Sequence, residues 1–475
     1  MVFAQLERLV RPLDRMSDEP VITADDSGDI IAAAPIDPQF GSFASSVAVT
    51  FATRLLILTG VVGSSVIVAR YLGPEGTGAL AVLNVTAALA LQLGSAGLPS
   101  ATTYFVAKDR NSLGPVWTSG IIFSLAAGTL MAVGLIAVAS FRPDLFNGVS
   151  SRLIAIVAIS IPFQLLTLLG LNLLLAIDRI KLMNSLDAVS SLLVFVNALI
   201  VLVIWRRGLT VLVSFNTIAA IVLAALLLWF VSRLSRRQQV KGARAHAMSV
   251  LKRMLAYGLK FYISIFAGFV IFRGDLLIVN RFRGAEAAGV YAIAAQFSFL
   301  LIMLPGVIAS LLFPRVASRQ DETAAYAVEV TRHTSFIMII MCVAGAAASF
   351  ALPLVYGARF GDATIQFLIM LPGIFFISLE SVLVQHFTGT GLPAIIPVFW
   401  IITMFVNLGL NLGLVPVWGA RAAAINSSVS YVLIFILVTA YFCRRTGHNP
   451  LLIFLPRTYE FRNLFAKLQR RAFAK

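Results

Sequence analysis

Ile67–Val82 reads IVARYLGPEGTGALAV, and Ile278–Ile293 reads IVNRFRGAEAAGVYAI. At an offset of 211 the two stretches are identical at seven of sixteen positions, among them Arg70/Arg281, Gly73/Gly284, Glu75/Glu286 and Gly78/Gly289. Further along the offset becomes 210. There Pro162 meets Pro372, Phe195-Val196-Asn197 meets Phe405-Val406-Asn407, and Asn216 meets Asn426. Leu and Val coincide by chance in any apolar chain. Arg, Gly, Glu, Pro and Asn held at a sustained offset do not, so the chain reads as one unit duplicated.

Composition says what kind of unit. The 475 residues are 59% apolar and only 12% charged, with a mean hydropathy of +0.92. A soluble domain carries about 25% charged residues, and no single soluble core buries this much apolar surface. Twelve apolar segments of spanning length, about 20 residues, follow one another: 44–69, 77–98, 116–139, 152–176, 183–204, 210–231, 257–280, 288–312, 334–355, 364–386, 393–415 and 420–442. The predicted fold class is an all-α polytopic membrane protein, about 12 transmembrane helices in two six-helix lobes. With six spans per repeat, both lobes enter the membrane in the same direction, a parallel repeat related by a pseudo-twofold along the membrane normal. The expected organisation is an acidic, disordered arm over 1–42, an N-lobe over 43–232, a basic connection over 233–256, a C-lobe over 257–443 and a basic tail over 444–475.

The formal charge of +16 is unevenly spread. Residues 1–40 hold eight acidic residues and three arginines, with no apolar run of the kind a signal peptide needs. With both termini placed in the cytoplasm, 25 Lys/Arg fall on cytoplasmic segments, 9 on outer loops and 3 inside spans. The positive-inside rule therefore orients both ends inward, in a membrane whose anionic inner leaflet, not nucleic acid, is the partner of the basic surface. The tail places Phe461, Leu464, Phe465 and Leu468 at helical spacing with basic residues between them. That pattern fits an interfacial helix and a solvated tail equally well. Cys342 and Cys443 lie apart in apolar runs, and the four histidines show no metal spacing, so no metal or cofactor is expected.

Charges inside a membrane are costly and face a cavity or a partner. Three basic residues fall within spans: Arg54, Lys260 and Arg273. Arg54 is about 15 Å from the inner end of its helix at 1.5 Å per residue, too deep for easy snorkelling. Lys260 is near the cytoplasmic end, where snorkelling suffices. Arg273 is deeper and stands two residues from Asp275, a spacing that does not let two side chains of one helix face each other. Cations lining a hydrated cleft imply an anionic cargo, and the planar guanidinium suits phosphate. Asp275 and Glu380 are the weaker candidates for carrying a coupling ion. The amides within spans, Asn197, Asn407 and Asn411 among them, read first as interhelical glue. The Arg and Glu of the duplicated turn read first as interfacial pairing groups, and Pro162 and Pro372 as equivalent kinks whose freed backbone groups need partners.

Four groups of residues resemble one family. They are Val68 through Gly78; Gly274-Asp275-Leu276-Leu277 with Arg281 through Tyr291; Leu312-Phe313-Pro314-Arg315-Val316; and the Asn407–Ala424 run containing Pro416-Val417-Trp418-Gly419-Ala420. Together, over about 43–445, the chain resembles the bacterial polysaccharide flippases, of the superfamily shared with multidrug and toxin extrusion exporters and the lipid II flippase. The resemblance implies a transporter, not an enzyme. It implies alternating access that flips a polyprenyl-diphosphate-linked oligosaccharide from the inner to the outer leaflet, for exopolysaccharide, O-antigen or capsule. Partners would be the lipid-linked glycan, membrane lipids and the polymerase and export machinery. On this expectation Arg54, Lys260 and Arg273 receive the diphosphate. An ion-coupled multidrug exporter, favoured by Asp275 and Glu380, and a membrane-embedded glycan-processing enzyme are the competing functions. The latter lacks any catalytic motif in the short outer loops.

Overall fold

A computed structural model describes residues 40–236, 243–317, 324–391 and 393–454. Within these, the side chains at 40–56, 235–236, 243–246, 260–261, most of 304–317 and 452 are not described. The acidic arm, the basic tail beyond 454 and part of the basic connection, residues 237–242, lie outside the described residues.

All regular structure among the described residues is helical. In chain order the helices are α1 (Phe40–Ser95), α2 (Leu98–Lys108), α3 (Leu113–Phe141), α4 (Ser151–Ala176), α5 (Ile180–Ala198), α6 (Leu209–Arg236), α7 (Ala243–Ala317), α8 (Ala325–Ser349), α9 (Leu352–Tyr356), α10 (Gly361–Gly389), α11 (Ile395–Trp418), α12 (Ala420–Thr446) and α13 (Pro450–Phe454). A π-helical turn, Leu199–Ile204, prolongs α5. Ten stretches among the described residues are long and apolar enough to cross a membrane. Two of them, Ile57–Ser95 and Tyr262–Met303, are about 40 residues long and each is broken once, at Gly73 and at Gly284. The breaks fall between the expected spans 44–69 and 77–98 and between 257–280 and 288–312.

The two breaks are the duplicated glycine. Gly73 has φ 67°, ψ −173°, and Gly284 has φ 81°, ψ 174°. Side chains rarely tolerate that backbone, which explains why glycine recurs at this position in both repeats. Five residues on, the repeat packs on itself. A Cβ at Gly78 would collide with the carbonyl oxygen of Ala285, and one at Gly289 with the carbonyl oxygen of Pro74. Those two contacts exchange under the 211-residue offset, so the crossing has local twofold symmetry.

The chain divides into two compact units, Glu19–Val290 and the part from Tyr291 onward. In the first, α4 is flanked by α3 and α6, and α5 lies along α1. A core of Leu98, Trp117, Leu169, Leu173 and Leu227 is sealed by Val250, Leu251 and Met254 of α7. The stretch read as a basic connection is thus helical from Ala243 and already packed. In the second unit α10 is flanked by α8 and α12, and α11 packs on α12. Many large apolar side chains stay exposed, Leu130, Val133 and Phe141 of α3 among them, as a lipid-facing surface requires.

The span expected at 334–355 lies earlier, as α8. Glu329, Arg332 and His333 read as part of a polar connection, but the helix runs through them because Ala327, Val328, Thr331, Thr334 and Ser335 form one buried stripe. It stops at Ser349, ahead of the short helix whose first turn holds Pro353.

Pro372 breaks the α10 hydrogen-bond ladder, and Ser428 of α12 repairs it. The Ser428 hydroxyl donates to the Ile369 carbonyl at 2.7 Å and accepts from the Gly373 N–H at 3.2 Å, bridging two groups that would otherwise pair along the helix. Ser428→Ala is expected to destabilise the protein by about 1–3 kcal/mol, the cost of leaving such groups unsatisfied. A lowered melting temperature of the purified protein checks this. The amides act as glue, as read from sequence. Asn197 donates to Asn216 at 3.1 Å in the first unit. In the second, Asn407 donates to Ser430 at 2.9 Å and Asn411 Oδ1 accepts from Asn426 at 3.4 Å, both across α11 and α12.

Candidate functional site

The long helix α7 carries most of the candidate chemistry. Its apolar run from Tyr262 sets it across the membrane, and the run is interrupted by Arg273, Asp275 and Asn280. Arg273 is half-buried. Asp275 is 3% exposed, and its Oδ1 accepts the N–H of Leu276 at 2.8 Å. A carboxylate taken from water in this way keeps its charge only with donors or cations around it. Arg54 and Lys260 stand on helical backbone of α1 and α7, but their side chains lie outside the described residues. The structure therefore brings Arg273 and Asp275 to one stretch of α7.

Glu380 belongs to the second unit. It is 2% exposed on α10, and its Oε1 has no hydrogen-bond partner among the described residues. His386 turns elsewhere, its ring meeting Phe387 and Phe442 at centroid distances of 5.8 and 5.4 Å. A buried carboxyl with an unpartnered oxygen is costly within a membrane.

Sequence reasoning missed Asn280. It is 0% exposed, and neither its Oδ1 nor its Nδ2 finds a partner among the described residues. The signal was present in the repeat, where Ala69 occupies the matching position and is also buried. An amide where the duplicate has a methyl group is a departure from the repeat.

In the second copy of the duplicated turn, the arginine finds a carboxylate outside the turn. Arg281 lies 3.6 Å from Asp144, whose carboxylate also receives two hydrogen bonds from Arg142, at 3.0 and 2.9 Å. The Arg142 guanidinium, and secondarily Arg281, holds the Asp144 carboxyl below its ordinary value of 3.8, and Asp144 in turn raises Arg142. A depressed carboxylate contributes stability that is present above its unfolded value and lost as the pH falls through its folded value. Asp144→Asn is expected to lower the melting temperature at pH 7. The difference from wild type should shrink as the pH falls below 3.8, and a series of thermal melts across that range checks it.

These geometries define the class: a multi-pass helical membrane protein with an internal repeat and the fold of known transporters. Over 83% of this chain and 87% of the other, it is similar to the lipid II flippase MurJ in an inward closed conformation, with a TM-score of 0.67 and 14% identity. It is similar to an inward-facing multidrug resistance MATE family transporter of the MOP superfamily over 84% of this chain and 98% of that one, with a TM-score of 0.66 and 15% identity. The eukaryotic MATE transporter AtDTX14 aligns at TM-score 0.62 and 13% identity, covering 85% and 96%. Curated proteins provide no sequence match. Residues 67–365 match the family described as "Polysaccharide biosynthesis protein", and the chain belongs to that family. It is a transporter family, not an enzyme family.

Proposed function

We infer that this transporter flips a polyprenyl-diphosphate-linked oligosaccharide from the inner to the outer leaflet of a bacterial inner membrane, with both termini cytoplasmic. The observation that carries the reading is membership of the polysaccharide biosynthesis family over residues 67–365, a range that contains Arg273 and Asp275. Arg54, Lys260 and Arg273 receive the diphosphate, for which guanidinium groups offer bidentate donors. The sugars cross in a hydrated path while the prenyl chain stays in lipid, and access alternates as the repeats rock. Asp275 and Glu380 carry a coupling ion. The burial of Glu380 and its unsatisfied Oε1 support that second role.

Deleting the gene tests the reading in cells. The surface polymer should be lost while its lipid-linked repeat unit accumulates, still protected from reagents outside the inner membrane. Accumulation on the outer face would contradict it, because flipping would then proceed without the protein.

A further inference from the structure

In the first unit, where α2 meets α7, is a cluster that the proposed function does not use. The helix α2 lies between two spans, and residues 243–261 of α7 precede a third, so both sit at a membrane boundary. Their backbones touch: a Cβ at Gly258 would come within 2.6 Å of the Gly97 carbonyl oxygen, and one at Gly97 would collide with the Gly258 carbonyl. The Tyr262 hydroxyl donates to the Gln92 carbonyl at 2.7 Å, fastening the junction. Buried Ala101, Val106, Val250 and Met254 make the frame rigid.

On that frame stand three rings and two cations. Tyr104 stacks on Tyr257 with centroids 4.4 Å apart and planes 12° from parallel, and Phe105 meets both edge-on. Lys108 Nζ is 5.8 Å from the Tyr104 centroid, and Arg253 Cζ is 6.0 Å from that of Phe105. Lys108 and Arg253 are exposed, as is Lys252, and Tyr104 is 41% exposed. Nearby Asp109 is occupied in capping the Asn111 N–H at 2.9 Å, and Arg110 is paired with Asp178. Lys108, Lys252 and Arg253 thus outnumber the carboxylate of Asp109. The net cationic cluster is held by aromatic faces next to the ends of the spans, where rings with one polar end prefer to lie.

The geometry points to a docking site for the phosphate-bearing headgroup of a membrane lipid, bound by Lys108 and Arg253 against the Tyr104–Tyr257 stack. Arg253 supplies the guanidinium fork and Lys108 a mobile point charge. On the proposed orientation the site faces the inner leaflet. Lys260 follows Tyr257 by three residues on the same helix, so a headgroup docked here is delivered toward the proposed diphosphate cations. Assigning the cargo to this site rests on the proposed function; lipid-phosphate binding does not.

Binding to the purified full-length protein tests it, with farnesyl diphosphate, farnesol and phosphatidylglycerol as probes. An Arg54→Gln/Lys260→Gln/Arg273→Gln background removes the proposed cleft cations, so that residual diphosphate binding reports this site. Adding Lys108→Gln and Arg253→Gln should weaken farnesyl diphosphate at least tenfold and leave farnesol unchanged. The exposed pair Arg206→Gln/Arg207→Gln should have no such effect. The conservative pair Lys108→Arg/Arg253→Lys should restore binding and so separate charge loss from misfolding. Parallel weakening of phosphatidylglycerol assigns the site to lipid phosphates in general, and weakening of farnesyl diphosphate alone assigns it to the cargo. Unchanged binding of both phosphates overturns the proposal. Unchanged flipping with weakened binding would leave the docking site standing and show that transport does not depend on it.

Discussion

Gly289→Val leaves no recoverable folded protein, and Gly78→Val behaves the same way: this is the expected result of filling the symmetric crossing. At Gly289 the new Cβ falls on the Pro74 carbonyl oxygen and 2.8 Å from the Gly78 nitrogen. At Gly78 it falls on the Ala285 carbonyl oxygen and 2.7 Å from the Gly289 nitrogen. Every atom in the way is backbone, so no rotamer change relieves the contact and the two segments must separate. Overpacking a core ordinarily costs about 1–3 kcal/mol. Here the collision is with main chain on both sides, and the cost should consume most of the roughly 5–15 kcal/mol that holds a protein folded. Gly134→Val is the control, because nothing lies within 4 Å of a Cβ at that position. Size-exclusion of the detergent-extracted proteins measures all three. A Gly289→Val protein as abundant and monodisperse as wild type would remove the crossing from the account.

Neutralising Arg54 and Arg273 together is expected to slow flipping at least about a hundredfold, taking about 1.5–3 kcal/mol for each hydrogen-bonded contact to a charged group. The protein should still reach the membrane. Arg273 is half-buried two residues from the buried Asp275, so glutamine, which removes the charge yet keeps an N–H donor on a shorter side chain, is the appropriate replacement. Arg273→Lys should be intermediate, since an ammonium keeps the charge but cannot grip a diphosphate with a planar fork. Export of surface polymer, read against the amount of folded protein, measures the series. Full export by Arg54→Gln/Arg273→Gln would end the assignment of these residues to the cargo.

Much of the fold was legible in the sequence because duplication marks what cannot vary. Gly73 and Gly284 both require positive φ, and Gly78 and Gly289 both abut backbone, so no other side chain fits and the repeat survives there. Apolar length placed the spans. It failed at α8, where a charged stretch lies on a helix whose other face is buried, since hydropathy averages the two faces together. Interior placement is harder to read. Glu380 reads in the sequence only as an acidic residue within a span, and it is packing by neighbours that makes it nearly inaccessible. Asn280 escaped notice because one amide in an apolar run resembles the glue amides. Only packing shows that Asn197 and Asn407 have partners, while the Asn280 amide finds none among the described residues.

Transport of a lipid-linked diphosphate is read out as leaflet movement in proteoliposomes. A polyprenyl-diphosphate oligosaccharide is placed in one leaflet, and its sugars are followed with a membrane-impermeant oxidant, with and without an ion gradient. The expected result is protein-dependent movement of the sugars to the opposite leaflet, abolished by Arg54→Gln/Arg273→Gln. If the oligosaccharide stays where it was placed while the same vesicles expel a cationic drug, the protein is an exporter and the flippase account is contradicted.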